Sequence, residues 1–413
     1  MAKIAAIKGM SDLLPPESES WNRVERLARR LFHTFGFREV RTPVVEPTQL
    51  FVRSVGESSA IVEKEMYTFE DRKGGSLTLR PEGTAPVVRA YIESGMAAKD
   101  PIAKLCYFGP MFRYEQPQKG RSRQFYQIGA ELLGADAPSA DAELLLMLHT
   151  FFEKLGIHDC RLEINSLGCD ACRPGYLEKI TTFLKNKGGP LCDECQKRIK
   201  KNPLRALDCK KEPCKALTSD APLISDSWCE ACHKHYRAVL GLLLAAGVRT
   251  QENPRIVRGL DYYCRTTFEM LCDRLGSQNA VAAGGRYDGL VRDLGGPPAP
   301  GIGFAIGMER LMLLAPKIAE IKPEKTIFFA LLGEEATRKA MPVMTELRNK
   351  GLKIEMAYSG SLKSQMRRAD KLKAGQVVIL GDEEVAKGIA ILKNMETGEQ
   401  KEVFLNRLSE LTE

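Results

Sequence analysis

Four separated segments of the chain combine glycine or proline with arginine or a carboxylate, a pairing that can hold a charged ligand close to backbone. The first is Arg80-Pro81-Glu82-Gly83-Thr84. Glu82 is an acceptor-only group able to hold an ammonium, with Thr84 beside it on a loop that opens a helix from Ala85. The same two residues equally suit the first turn of that helix. The second is Gly109-Pro110-Met111-Phe112-Arg113-Tyr114-Glu115, followed by the loop Gln116 to Arg123 and the stretch Gln124 to Glu131. A strand presents Arg113 stiffly, and its guanidinium can fork onto a phosphate where a loop lysine acts only as a point charge. Charge that develops in a transition state is best met by donors fixed beforehand. The basic loop can clamp nucleotide or RNA, or be an ordinary solvated hairpin tip.

The third segment, Val257-Arg258-Gly259-Leu260-Asp261-Tyr262-Tyr263, is followed by Ala283-Gly284-Gly285-Arg286-Tyr287-Asp288. Adjacent tyrosines ordinarily divide into one core and one surface residue of a strand. The fourth runs from Gly301 to Arg310 and superficially matches a dinucleotide fingerprint. Ile306 stands where the third glycine belongs, however, and no βαβ pattern follows. A glycine-rich strand leading into a helix that presents Arg310 describes it better.

These residues need rigid elements behind them. Trp21, Val24, Leu27, Ala28, Leu31, Phe32 and Phe35 recur at helical spacing after Pro15-Pro16, and Gly36 can end that helix. Phe37 to Val45 reads as a strand interrupted by Pro43, which favours an edge. Ile102 to Glu115 and Gln124 to Gly134 read as a long antiparallel hairpin, and Asp141 to Leu155 as a helix. Pro316 to Pro323 reads as a linker. Beyond it, strands at Thr326 to Leu332, Leu352 to Ala357 and Gln376 to Leu380 alternate with helices at Glu334 to Lys350 and Ser361 to Leu372. That order predicts a small α/β domain with a mainly parallel sheet.

The chain has 413 residues, 44% of them hydrophobic, enough for two or three cores and too many for a disordered protein. Its 61 Lys and Arg exceed its 53 Asp and Glu, a net charge of +8 that suits a polyanionic partner. The longest apolar run, Val239 to Val248, is about half a membrane span and reads as a buried helix. With no signal-peptide pattern at Met1 to Leu14, the expected compartment is the cytoplasm, and no membrane partner is expected.

In this order, the segments resemble the three motifs of class II aminoacyl-tRNA synthetases together with two signatures of the histidyl-tRNA synthetases. Motif 1 corresponds to the helix and strand ending at Pro43, motif 2 to the Arg113 hairpin and motif 3 to Gly301 to Arg310. The histidine signatures correspond to Val257 to Tyr263 and Ala283 to Asp288. The resemblance covers nearly the whole chain. It implies an α+β catalytic core over residues 1–320, with an antiparallel sheet of six or seven strands flanked by helices. That core is interrupted by a Cys-rich, helical insertion at 168–248 and followed by an anticodon-binding α/β domain at 325–413. It also implies a homodimer formed through motif 1.

The implied activity is that of a histidine–tRNA ligase acting on L-histidine, ATP with Mg²⁺, and tRNA(His). By resemblance, Arg113 and Arg258 contact the α-phosphate and Arg310 the γ-phosphate of a bent ATP. Glu82, Gly83, Thr84 and Gln127 surround the substrate α-amino group, Glu131 and Tyr263 bond the imidazole, and Tyr262 and Tyr287 shape the pocket. Gln118, Arg121 and Arg123 are candidates for the acceptor end of tRNA. Lys363, Arg367 and Lys371 share a helix face that suits either RNA phosphates or water. Direct attack of the substrate carboxylate on phosphorus needs no protein nucleophile, which agrees with the lack of a Ser-His-Asp pattern. A site that bonds both imidazole nitrogens can reject apolar analogues by roughly 10⁴ to 10⁵, so no editing domain is expected.

Eight cysteines form close pairs at Cys169/Cys172, Cys192/Cys195, Cys209/Cys214 and Cys229/Cys232. Such spacing suits one or two structural Zn²⁺ sites, because two thiolates a turn apart can close on one tetrahedral ion. Zinc is not general among the histidyl-tRNA synthetases, so this expectation rests on spacing, with reduced, uncoordinated thiols as the alternative. Between Gln196 and Lys215 stand eight Lys or Arg and two acids, a concentration suited to a tRNA acceptor arm. Two other classes compete: a silent synthetase-like regulatory subunit, whose histidine signatures would be degraded, and a zinc RNA-binding protein, which leaves Arg113, Arg258 and Arg310 without a role.

Overall fold

In a computed structural model of the chain, the apolar stripe Trp21, Val24, Ala28, Leu31 and Phe32 is the buried face of the helix Glu17–Thr34. The structure describes residues 4–56, 59–187, 189–207, 209, 211–257, 259–314 and 326–410. Two units separate within the chain, Met1–Ile318 and Ala319–Glu413. The linker expected at Pro316 to Pro323 lies outside the described residues, as does Arg258.

The strands of the first unit are β1 (Arg38–Glu39), β2 (Val45–Pro47), β3 (Tyr67–Glu70), β4 (Ser76–Leu79), β5 (Ala103–Phe112), β6 (Gln124–Leu133), β7 (Arg161–Ser166), β8 (Thr250–Glu252), β9 (Cys264–Leu271), β10 (Ala280–Arg286) and β11 (Gly301–Gly307). Eight of them form one sheet in the order β1-β5-β6-β11-β10-β9-β7-β8. The six from β5 to β7 in that order pair antiparallel, and a short parallel strand closes each edge. The sheet therefore has one strand more than the upper expectation. The extra edge pieces, two and three residues long, are too short to carry a readable alternation. The edge strand ends at Glu39, four residues before Pro43, and Val45–Pro47 joins β3 and β4 in a separate small sheet.

The helix Pro138–Lys154 buries Leu144, Leu145, Met147, Leu148, Phe151 and Phe152 in the main core. Burial of each such side chain stabilises the fold by about 1.5–3 kcal/mol. Between β7 and β8 the insertion is helical, with Arg173–Asn186, Asp193–Lys201, Glu212–Leu217 and Glu230–Ala245. Its core of Tyr176, Ile180, Leu184 and Ile199 runs into that of Val88, Tyr263 and Tyr287. In the run from Val239, only a stripe is buried: Val239 and Leu243 are covered, while Leu242 and Leu244 are exposed. Among the described residues, no helix is long and apolar enough to cross a membrane.

The second unit holds β12 (Thr326–Leu331), β13 (Lys353–Met356), β14 (Gln376–Leu380), β15 (Ile389–Asn394) and β16 (Gln400–Phe404) in the order β13-β12-β14-β15-β16. Strands β12, β13 and β14 are parallel as the alternation predicts, with the helices Glu334–Asn349 and Leu362–Lys371 between them. β15 and β16 pair antiparallel and were not anticipated. The outer strand β16 is mostly exposed and polar, so it carries no apolar period to read.

Candidate active site

The β5–β6 hairpin is the scaffold of the site. Its ladder runs from Ala103 opposite Leu133 to Phe112 opposite Gln124, and the Arg113 amide continues it by donating to Arg123 O at 2.8 Å. Arg113 is thus held at the end of a long hairpin, where its Nε donates to Pro81 O at 2.8 Å and its guanidinium lies 5.4 Å from the Phe125 ring centroid. A cavity of about 700 Å³ opens beside it. Arg113 and Arg310 both line this cavity, as do Glu82, Thr84, Gln127, Tyr262 and Tyr263.

Segments far apart in sequence supply these walls. Gly301 to Gly307 is the strand β11, and the helix Met308–Leu314 that follows it carries Arg310, as expected. Arg310 Nη1 donates to Ala280 O at 2.7 Å and Nε to Gly120 O at 3.3 Å, which ties the helix to β10 and to the motif 2 loop. Burial, together with the positive charges of Arg121 and Arg113, lowers its pKa from the ordinary value, yet a guanidinium stays charged at neutral pH. Glu309 beside it accepts from the Tyr126 amide, and burial pushes its pKa up to about 7.

Glu82 fills both roles weighed for it. Its Oε2 and Oε1 accept the backbone N–H groups of Thr84 and Ala85 at 2.7 and 2.9 Å, which caps the helix Thr84–Glu93, while the carboxylate lines the cavity. Burial raises its pKa, and those amides and Arg113 oppose the shift. Gln127 lines the same wall, and its Oε1 is buried with no hydrogen-bond partner among the described residues.

Glu131 and Tyr287 lie behind the cavity wall. Glu131 is fully buried, with Thr84 Oγ1 donating to Oε1 at 2.7 Å and the Tyr287 hydroxyl to Oε2 at 2.5 Å. Burial raises its pKa to about 8, against the pull of those two donors. Gly303 makes room for it, since a Cβ there would stand 1.6 Å from Glu131 Oε2. Tyr262 and Tyr263 do not divide into core and surface. They precede β9 in a loop, so strand alternation does not apply, and their rings stand 4.6 Å apart.

Several lining residues escaped the sequence reading, among them Phe125, Glu269 and Tyr107. Tyr107, on β5, pairs with Gly129 across the hairpin and packs against Gly83, where added Cβ atoms would meet its ring at 2.1 and 2.2 Å. The register that pairs Tyr107 with Gly129 follows from the hairpin, but the approach of Gly83 comes from outside it and leaves no local signal.

The three loop candidates differ. Arg121 lines the cavity and pairs with Glu115 at 2.8 Å. Gln118 closes the loop tip through backbone bonds with Arg121. Arg123 stacks 4.1 Å from the Tyr114 ring centroid and donates to Glu115 O, so it braces the loop. Lys363, Arg367 and Lys371 are exposed on the helix Leu362–Lys371 of the second unit.

A family model described as histidyl-tRNA synthetase matches residues 9–311, and one described as anticodon binding domain matches residues 326–412. The chain belongs to the histidyl-tRNA synthetases. Among relatives named histidine–tRNA ligase, it is 52% identical to one from Syntrophotalea carbinolica over 98% of this chain and 97% of that one. It is also 52% identical to one from Geobacter metallireducens over 98% of each. An apo histidyl-tRNA synthetase structure from S. aureus superposes with a TM-score of 0.83 at 37% identity, covering 99% of both chains. The β5–β6 hairpin, the strand β11 with the helix after it, and the loop carrying Tyr262 and Tyr263 all border one cavity.

Proposed function

We infer that the cavity lined by Arg113 and Arg310 is where this synthetase joins histidine to ATP. As a member of its family, the chain is an ATP-dependent histidine–tRNA ligase, forming histidyl-adenylate and passing the histidyl group to the 3′ end of tRNA(His). One observation carries the reading: two guanidiniums, those of Arg113 and Arg310, share the walls of a single cavity with Glu82, Thr84, Gln127 and Tyr263.

The substrate carboxylate must approach a phosphorus ringed by negative oxygens. Arg113, fixed at the hairpin end, lowers that repulsion at the α-phosphate, and Arg258 does so from the signature loop. Arg310 holds the γ-phosphate, so the nucleotide lies bent between motifs 2 and 3. In-line attack then breaks the bond to pyrophosphate without a protein nucleophile. Mg²⁺ arriving with the nucleotide would neutralise phosphate charge. Glu115 and Glu269 line the cavity within electrostatic reach of Arg310 and suit such an ion.

At the other end, Glu82 and Gln127 accept from the substrate ammonium with Thr84, and the flanking Gly83 keeps the loop close. Once Thr84 Oγ1 turns to the ammonium, Glu131 Oε1 is left for an imidazole N–H. Tyr263 bonds the other ring nitrogen, while Tyr262 and Tyr287 shape the walls. Arg121 and Gln118 face the acceptor end of tRNA, with Arg123 bracing their loop. The second unit takes the anticodon, the protein works as a homodimer through motif 1, and its compartment is the cytoplasm.

Histidine-dependent exchange of pyrophosphate into ATP tests the reading. Exchange that requires histidine is expected; a folded protein that binds tRNA but performs no exchange would make it a silent relative.

A further inference from the structure

The eight paired cysteines of the insertion converge as two sets of four. Cys169 and Cys172, where the chain enters, meet Cys229 and Cys232, where it leaves, and Cys192 and Cys195 meet Cys209 and Cys214 between them. Within each set the sulfur atoms all lie within 4.8 Å of one another. Cys169 and Cys172 stand at 3.5 Å, Cys172 and Cys232 at 3.7 Å, Cys169 and Cys229 at 3.9 Å, and Cys192 and Cys209 at 4.0 Å.

Sulfurs held about 2.3 Å from a tetrahedral Zn²⁺ must stand about 3.8 Å from each other, and these separations bracket that value. A disulfide needs about 2.05 Å, and all eight are free thiols. Backbone amides point at sulfur in both sets, Cys229 N to Cys172 Sγ at 3.0 Å and Cys192 N to Cys214 Sγ at 3.4 Å. Five of the eight side chains are buried, where thiolates crowded together repel unless a cation neutralises them.

We propose that the chain binds two structural Zn²⁺ ions in nested tetrathiolate sites, an outer one that closes the neck of the insertion and an inner one that holds it against the active cavity. The outer site ties the end of β7 to the start of the helix Glu230–Ala245. The inner site brackets Asn202 and Arg205. Asn202 Nδ2 donates to Asp261 Oδ1 at 2.8 Å, and Arg205 Nη2 to Gly259 O at 2.7 Å, so both grip the signature loop. Cys214 sits on the helix Glu212–Leu217, whose Glu212 and Lys215 line the cavity. Four protein ligands leave no open position, so both ions are supports and neither is a catalyst.

Full-length, tag-free protein purified without added metal is analysed by inductively coupled plasma and native mass spectrometry. Two Zn²⁺ per chain are expected, falling to one in the double variant Cys195→Ser/Cys209→Ser and to one in Cys169→Ser/Cys232→Ser. Should those variants fail to fold, titration of the wild-type chain with p-hydroxymercuribenzoate, read with a zinc-sensitive dye, must release two ions as its twelve thiols react, eight of them the proposed ligands. A single zinc, iron in place of zinc, or complete thiol titration without release of metal overturns the proposal. Because metal count is independent of histidine activation, its failure is distinct from failure of the pyrophosphate exchange.

Discussion

Thr84 and Glu131, on different elements and 47 residues apart, are joined by a 2.7 Å hydrogen bond from Thr84 Oγ1 to Glu131 Oε1. The bond links the wall assigned to the substrate amine with the carboxylate assigned to its imidazole.

The raised pKa of Glu131 makes histidine affinity depend on pH in a defined direction. Its ordinary value near 4.5 rises to about 8, so below about pH 8 the ligand-free protein holds a proton on this group. An imidazole N–H is best accepted by the carboxylate, so binding expels that proton, and affinity rises with pH up to about 8. Free histidine loses its own imidazole proton near pH ~6.5, which leaves the interval from there to 8 to Glu131. Calorimetry in buffers of differing ionisation enthalpy should record the released proton. Glu131→Gln should flatten that interval and weaken binding by about 10–100-fold. An unchanged pH slope in this variant removes Glu131 from the imidazole site.

Arg113→Ala is expected to lower the rate of histidine-dependent pyrophosphate exchange by about 10²–10³ while histidine binding stays nearly constant. Arg258→Ala should behave alike. Equal losses in exchange rate and in histidine affinity would argue that these guanidiniums serve the amino acid and not the phosphates.

Gly303 tests how tightly the imidazole wall is packed. A Cβ at this position would lie 1.6 Å from Glu131 Oε2 and 2.7 Å from Ala130 O, so the Glu131 carboxylate or the strand must move. Gly303→Ala should raise the histidine KM by at least about 10-fold and cost about 1–3 kcal/mol of stability. Titration and a denaturant melt on the same sample read both. Wild-type histidine affinity in this variant would show that Glu131 has no set position.

Much of the site is legible in local sequence because its motifs need particular residue types at fixed places. Arg113 before a basic loop, Arg310 after a glycine-rich strand and Glu82 beside Thr84 all lie where their segments suggest. What stays hidden depends on partners distant in the chain. Tyr107 shows its purpose only when Gly129 is known to sit opposite. The cysteine pairs could have closed on neighbours, and nothing local says that the first joins the last. The grip of Arg205 on Gly259 O links an insertion to a signature loop 54 residues away, with no periodicity to announce it. β15 and β16 were missed because solvent covers much of the outer strand.

Beneath the pocket, Arg286 and Asp141 form a fully buried ion pair, and Asp141 Oδ2 also meets His235 Nε2 at 2.9 Å. Arg286 further donates to Ala135 O at 2.5 Å and to Asp288 Oδ1 at 3.1 Å, and its neighbour Tyr287 holds Glu131. Removing the Asp141 charge leaves the buried guanidinium with Asp288 as its remaining carboxylate, a penalty of about 1–3 kcal/mol. Asp141→Asn should therefore lower unfolding free energy by that order in urea melts. Because Arg286 keeps two acceptors, the variant is expected to fold, with histidine bound more weakly as Tyr287 loosens. Arg286→Met with Asp141→Leu removes both charges together and should recover most of the stability. If the double variant is instead as unstable as Asp141→Asn, the cost resides in the bonds to Ala135, Asp288 and His235, and not in the charge of Arg286.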